Sequence, residues 1–563
     1  MSGQAPARGN ASRRGLLAAA GTIAVITLVA RVVGFGRWFA FSHSVGATCV
    51  GSVYQSVNAV PNVLFEVAAG GVLAAVVVPL VAGALARGDR AHSDETASAL
   101  LTWAVGVLVP LGLLVAVAAR PIASALLGTG CPGEVDLGAD LLRVFAVQIP
   151  LYGVAIVLAG VLQSHRRFVG AALAPLLSSL VVIATYLSYR SLVPNPAAEI
   201  ADVPRSAVVV LGVGTTLGVV ALAVPLVVPV RRAGIRLRPR LGFPDGVARR
   251  VRRLAVAGLI AVAGQQLATL VVIRLANDRG GAGTLNVYTY AQAVTLLPYA
   301  VLAVPLATAA FPSLAGAHAA AEETGDAHDA LQASWTLRRA WLATVVVSLF
   351  GTAALVAVAV PVGAFFTALD AGSHTDASRE TLAAMGDAVS VFAPSVLALG
   401  VIGLLTRASY VRGRARLAGV LAAIGWLATV VLPLIVLDPD GAGGPRTLVA
   451  LAGGSSLGLA LGAVLLVGLV GRSWGWAALR LPWRPLLAAA SGSLAAAAAG
   501  RAVSSWLSMR GVGHSLGSSL AVGVGVGVLA LALMSGVALA VDPGLVDRVR
   551  RARRQPVPEE ATS

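Results

Sequence analysis

Arg31 and Arg37 stand inside the otherwise apolar stretch that runs from Leu16 to Val45. An arginine near a bilayer centre costs about 2.5–3.5 kcal/mol on insertion scales, so it is normally kept for a cavity or a ligand. A guanidinium binds phosphate oxygens through two parallel hydrogen bonds, and a water-lined cavity offsets its desolvation. The chemistry these two residues offer is recognition of an anion. Arg37 lies near the outer end of its span, where it can snorkel to the interface. Arg31 lies deeper and is the better placed of the two. In the next apolar stretch Glu66 falls at membrane depth, and an ionised carboxylate there needs a partner. Arg31 and Arg37 are the nearest candidates in sequence, either as a structural bridge between two helices or as a pair lining a functional cavity.

The elements that must position these groups are membrane spans. The 563 residues are 57% hydrophobic and only 12% charged, with a mean hydropathy of +0.84, a composition that excludes a water-soluble globule. About fourteen apolar stretches long enough to cross a bilayer recur between Leu16 and Val541. The basic residues, all arginine, gather at every second connection: Arg13-Arg14, Arg166-Arg167, Arg231 to Arg253, Arg407 to Arg416, Arg472 to Arg484 and Arg548 to Arg554. The intervening connections are poorer in arginine and carry acids such as Glu134, Asp136, Asp370 and Asp376. The positive-inside rule then places both termini in the cytoplasm, which requires an even number of spans. The net charge of +17 is accounted for by this orientation and by attraction to anionic headgroups, with no nucleic acid. Cys49 and Cys131 both fall in external connections, where they either pair or remain isolated small apolar residues.

The second stretch, 52–86, would be about 52 Å long as straight helix, well beyond a hydrocarbon core of about 30 Å. It must tilt, bend or protrude, and Pro61 and Gly70-Gly71 are its weak points. A faint two-fold repetition runs through the chain. The step from Pro61 to Pro298 equals that from Arg37 to Arg274, and Val144-Phe145-Ala146 reappears as Val391-Phe392-Ala393. Two parallel six-span halves with two further spans follow, and transporters place binding sites between such repeats.

Arg31-Val32-Val33-Gly34-Phe35-Gly36-Arg37, Phe41 to Gly46, Pro61-Asn62 with the apolar run to Val78-Pro79, Tyr290-Ala291, Leu297-Pro298 and Phe311-Pro312-Ser313-Leu314 resemble the MurJ/MviN family of the MOP flippase superfamily. The resemblance implies an all-α polytopic membrane protein of about fourteen helices. Its parts would be a cytoplasmic tail (1–15), an N-lobe (16–232), a basic linker (233–253), a C-lobe (254–471), two helices lining a polyprenyl groove (472–541) and a disordered cytoplasmic tail (542–563). It implies flipping of the undecaprenyl-diphosphate-linked peptidoglycan precursor lipid II by alternating access, with Arg31 and Arg37 facing the substrate diphosphate; Asn62 of the Pro-Asn motif, Glu66 and Arg274 are further candidates for the substrate site. The chain departs from the family pattern at Ser52, where an Asp is usual, at Phe65-Glu66, where an Arg-Arg pair is usual, and at Gly70-Gly71 and Ala293. Another lipid-linked polysaccharide, or a non-transporting scaffold of the cell-wall machinery, is the alternative.

The implied partners are a lipid-linked anionic glycan, membrane lipids and cell-wall synthesis proteins. No enzyme chemistry and no cofactor is expected, because the histidines are scattered without metal-ligand spacing and the external connections are short. The glycine runs Gly453-Gly454 and Gly523 to Gly527 read as close helix packing. Trp474, Trp476 and Trp483 read as an interfacial belt.

Overall fold

The computed structural model describes residues 8–67, 88–128, 130–195, 198–243, 247–324 and 326–541, together with isolated positions between 67 and 88. Side chains are not described for 8–24, 247–261, 327, 373 and 374. Gly70-Gly71, Pro79, residues 1–7 of the N-terminal tail and the tail 542–563 lie outside this set. Among the described residues all regular structure is helical, and the protein is an all-α polytopic membrane protein. Among the described residues eleven helices are long and apolar enough to cross a membrane, or up to twelve if a pair bent by 43° counts as one span. Of the remaining expected spans, the second and the seventh include residues whose backbone or side chains are not described.

The chain divides into two units, Met1–Gln266 with Asp370–Gly372, and Leu267–Leu369 with Ser373–Ser563. The first contains α1 (Arg8–Ser44), α2 (Cys49–Glu66), α3 (Arg90–Val117), α4 (Ala119–Leu126), α5 (Glu134–Phe145), α6 (Gln148–Ser164), α7 (Phe168–Leu192), α8 (Arg205–Ala223) and α9 (Val227–Arg232). Here α1 packs along α7, α7 on α8, α3 on α6 and α2 on α5. Leu100, Ala104, Leu158, Val161, Leu162 and Leu226 form its core. On the outer face of α3, Leu113 and Leu114 stay more than 60% exposed, as a lipid-facing surface requires. Cys49, at the start of α2, is disulfide-bonded to Cys131, with their Cα atoms 6.0 Å apart. This resolves the alternative that the sequence left open.

α10 (Val247–Gly280) crosses the boundary between the units. The second unit then adds α11 (Thr284–Pro298), α12 (Val304–Thr324), α13 (Ala327–Leu369), α14 (Asp376–Ala383), α15 (Met385–Phe392) and α16 (Ser395–Val411). It ends with α17 (Ala415–Ala428), α18 (Val431–Val436), α19 (Gly444–Trp474), α20 (Trp483–Met509) and α21 (Leu516–Val541). α13 packs on α16, α17 on α19, and α20 and α21 on each other and on α13.

The units share local solutions. In the first, the span is interrupted after Phe145, and the Ile149 N–H donates to the Ala146 carbonyl at 3.2 Å; in the second the break follows Phe392, with Val396 N–H to Ala393 at 3.1 Å. Pro150 and Pro394 lie at these breaks, each lacking the amide hydrogen that would continue the helix. The indole N–H of Trp103 donates to the Leu241 carbonyl at 2.8 Å, and that of Trp341 to Leu479 at 3.1 Å, each bond spanning 138 residues. The step from Trp103 to Trp341 equals the step from Leu241 to Leu479, so the internal repetition read from the sequence reappears as repeated geometry.

The segment before Leu241 is held along α3 by a matched spacing. Asp94 Oδ2, Ser98 Oγ and Thr102 Oγ1 accept the N–H groups of Arg236, Arg238 and Arg240 at 3.1, 3.0 and 3.0 Å. Helix positions four apart rise about 6 Å, while two residues of extended chain cover about 6.6 Å. Every fourth helix side chain therefore meets every second strap amide.

Small residues set the closest helix approaches, as in other membrane bundles. Gly454 and Gly458 of α19 lie against the backbone of Thr429, and Gly500 of α20 against Ala357 of α13, each without room for a Cβ. Gly525, by contrast, has open space beside it, and Gly523 and Gly527 leave room for an ordinary contact. The expectation of close packing holds at Gly454 and fails for the run from Gly523 to Gly527, where α21 keeps its glycines away from neighbouring backbone.

A polar cluster in the first unit

Tyr54 of α2 is fully buried, and its hydroxyl lies 3.0 Å from both the Tyr186 hydroxyl of α7 and Thr215 Oγ1 of α8. Thr215 already donates its only proton to the Leu211 carbonyl at 2.7 Å. The direction of the chain is therefore fixed: Tyr186 donates to Tyr54, Tyr54 to Thr215, and Thr215 to the backbone. Phe41 of α1 stacks on Tyr54 with ring centroids 5.6 Å apart and meets the edge of Tyr186 at 5.2 Å. This aromatic and hydroxyl core fixes α1 against α2 and α7.

Arg37 sits beside that core. It is half-buried, its guanidinium carbon is 5.9 Å from the centre of the Trp38 ring, and its charge acts on the phenols of Tyr54, Tyr152 and Tyr186. Tyr152 of α6 donates to Asn62 Oδ1 at 3.1 Å, and Asn62 Nδ2 donates to the Asn58 carbonyl at 2.7 Å. The Phe65 ring packs on Tyr152 at 4.5 Å. Of the residues singled out from sequence, Asn62 is bonded to Tyr152, and Tyr152 is also one of the phenols on which the Arg37 charge acts.

The other three are placed differently. Arg31 is exposed, about 9 Å along α1 from Arg37. Glu66, the last residue of α2, is exposed, and no ion pair joins it to Arg31 or Arg37 among the described residues. Arg274 belongs to the second unit and pairs with Asp278 at 2.9 Å across one helical turn. Arg37, rather than the deeper Arg31, is the half-buried arginine, and its charge acts on the tyrosines of the cluster. Pro61 is buried inside α2, and the α2 backbone carries Asn62 towards Tyr152.

The sequence reading passed over two groups. Arg501 of α20 binds Asp387 at 2.7 Å and also Ser390, beside a cleft of about 610 Å³ lined by Gly363, Thr367, Arg379, Asp387 and His514. A lone arginine within the alanine-rich run 495–502 was the available signal. Asp370 is 3% exposed, and its carboxylate accepts the Ser42 hydroxyl and the N–H groups of Ala47 and Gly372, each at 2.7 Å. Nothing local to Asp370 distinguishes it from the other acids of the connections.

The chemistry of the first-unit cluster is recognition. It offers a guanidinium with no carboxylate partner among the described residues, three tyrosine hydroxyls and a carboxamide. Among the described residues no group of three or more His, Cys, Asp or Glu side chains could hold a metal ion.

Comparison with known proteins agrees with this architecture. The family model for the lipid II flippase MurJ matches residues 41–534. A probable lipid II flippase MurJ from Vibrio cholerae is 24% identical over 321 residues, covering 54% of this chain and 58% of the relative. The lipid II flippase MurJ of Burkholderia cenocepacia is 27% identical over 329 residues, covering 57% and 60%. The matched region thus spans less than two thirds of either curated relative. A solved lipid II flippase MurJ in an inward closed conformation superposes with a TM-score of 0.70 at 15% identity, over 92% of this chain and 99% of that one. An inward-facing multidrug resistance MATE transporter of the MOP superfamily gives 0.62 at 16% identity, over 81% and 98%. With the family model covering most of its length, the chain belongs to the lipid II flippase MurJ family.

Proposed function

We propose that this protein flips an undecaprenyl-diphosphate-linked peptidoglycan precursor, lipid II, across the cytoplasmic membrane by alternating access. The observation that carries the reading is Arg37: a half-buried guanidinium whose charge acts on the phenols of Tyr54, Tyr152 and Tyr186, with no carboxylate partner among the described residues. A charge held in this way is costly unless an anion completes it, and a diphosphate has the matching charge and geometry. Arg31 supplies a second cation on the same helix, while Asn62 and Tyr152 can hydrogen-bond the headgroup. The anionic headgroup drives the cycle between states only to the extent that it binds one more tightly than the other. Membership of the MurJ family supports the choice of lipid II among lipid-linked glycans.

The orientation follows from the same parts. A disulfide persists on the oxidising side of a membrane, which supports a reading with the Cys49–Cys131 end outside and the arginine-rich connections, with both termini, in the cytoplasm. The membrane is the bacterial cytoplasmic membrane, and the role is in cell-wall synthesis.

Complementation tests the reading. A bacterium depleted of its resident lipid II flippase grows when it expresses this chain, and growth is lost with Arg37→Ala at equal membrane abundance. A well-inserted wild-type chain that fails to rescue growth shifts the substrate to another lipid-linked polysaccharide or favours the scaffold role. Rescue by Arg37→Ala contradicts the assigned site.

A further inference from the structure

At the end of the first unit opposite the disulfide lies a second basic site. Helices α5 and α6 run as one span from Glu134 to Ser164, roughly 45 Å of helix, and Cys131 precedes its start. At its far end a cleft of about 350 Å³ is lined by Arg90, Asp94, His165, Arg166, Arg167 and Ile235. Arg90, Arg166 and Arg167 are exposed, and none has an acidic partner among the described residues. Asp94 is half-buried and accepts the Arg236 N–H at 3.1 Å. His165 Nδ1 lies 2.9 Å from the Val161 carbonyl, so that nitrogen carries the proton.

The backbone gives an independent reason to look here. Arg166, at φ 58°, is the one described non-glycine residue in the left-handed region. Its turn ends α6, with the Arg166 N–H donating to Gln163 at 2.9 Å and the Arg167 N–H to Leu162 at 2.8 Å. The step from Phe145 to Phe392 carries Arg166 onto Gly413, whose φ is 69°. There the same two bonds recur, Gly413 to Tyr410 at 3.0 Å and Arg414 to Ser409 at 2.9 Å. One unit makes this turn with glycine, which pays no steric penalty. The other keeps arginine in the same turn despite the cost of its Cβ. Strain retained at a cavity edge points to a side chain that is needed there.

We propose that this cleft binds a negatively charged phosphate group through Arg90, Arg166 and Arg167. Phe168 and Val169, directly after the arginines, are 41% and 44% exposed. Apolar side chains at that level place the cleft at the membrane surface, where lipid headgroups present such phosphates. The site is separate from Arg37 and does not depend on what the protein transports.

The test uses the purified full chain in maltoside detergent, with thermal unfolding followed as phosphatidylglycerol, phosphatidylcholine or inorganic phosphate is added. Phosphatidylglycerol should raise the midpoint saturably and phosphatidylcholine should not. Arg166→Gly should raise the midpoint without lipid, because glycine relieves the turn, yet weaken the phosphatidylglycerol effect about fivefold, one arginine's worth of attraction. Arg90→Gln/Arg166→Gly/Arg167→Gln should abolish saturation. An equal response to inorganic phosphate, lost in the triple variant, supports the site and assigns it to a soluble anion. Equal stabilisation of wild type and triple variant, or no ligand effect on the wild type, overturns the proposal.

Discussion

Tyr152 and Asn62, on different helices and 90 residues apart, are joined by a hydrogen bond of 3.1 Å within reach of the Arg37 charge. The bond ties α6 to α2 at the point where Asn62 also donates to its own helix. Tyr152→Phe removes the donor and leaves a half-buried amide oxygen to be solvated otherwise. The expected cost in stability is about 1 kcal/mol, seen as a small fall in the unfolding midpoint. A larger loss in flipping than in stability would show that the phenol addresses the substrate, and an unchanged flipping rate would reduce it to a helix clasp.

Arg37 and Arg31 should separate in their effects. Arg37 is half-buried and its charge reaches the phenols of α2, α6 and α7, while Arg31 is exposed, so Arg37→Gln should weaken binding of a diphosphate lipid about 10- to 100-fold, as for a lost charge-assisted hydrogen bond. Arg31→Gln should cost less. Binding of a labelled diphosphate lipid to each variant measures the difference, and equal losses would mean that both guanidinium groups reach the ligand.

The disulfide should be a stability device that also reports orientation. Cys49→Ser/Cys131→Ser opens a loop whose ends are separated by 82 residues, and a loss of about 2–4 kcal/mol is expected. In intact cells a membrane-impermeant reductant followed by a thiol label should modify both cysteines. Protection of both in cells, with labelling only after lysis, would reverse the assigned orientation.

Asp370 should tolerate amide but not alanine. Its Oδ1 accepts the Ala47 and Gly372 N–H groups and its Oδ2 the Ser42 hydroxyl. Asp370→Asn keeps one acceptor oxygen for the amides, and the Ser42 hydroxyl can turn to accept from the new NH₂. Asp370→Ala leaves buried donors unmatched, at about 1–3 kcal/mol each. Unfolding midpoints of the two variants test this, with the alanine change much the more damaging.

The spans were legible in the sequence because in a bilayer every backbone group must be satisfied within its helix, so a long apolar run has one outcome. The repetition was legible too, since Phe145 and Phe392 mark matching breaks. What was not legible was side-chain pairing across sequence. Asp370 meets Ser42 across 328 residues and Arg501 meets Asp387 across 114, and no local pattern announces either. Glu66 shows the converse: proximity in sequence suggested a partner on α1, and the described contacts contain none. Arg31 and Arg37 were found because arginine in an apolar run is rare. Which of them enters the polar cluster depended on the helix faces that Phe41 and Tyr54 bring together.

The central claim is that Arg37 completes itself with a lipid-borne diphosphate, and affinity measures it most directly. The purified chain, wild type and Arg37→Gln, would be titrated with lipid II and with the same glycan on a neutral polyprenyl ether. Tight binding of lipid II by the wild type, lost both without the diphosphate and without the guanidinium, is the predicted result. Equal affinity for the two lipids, or for wild type and Arg37→Gln, would contradict it.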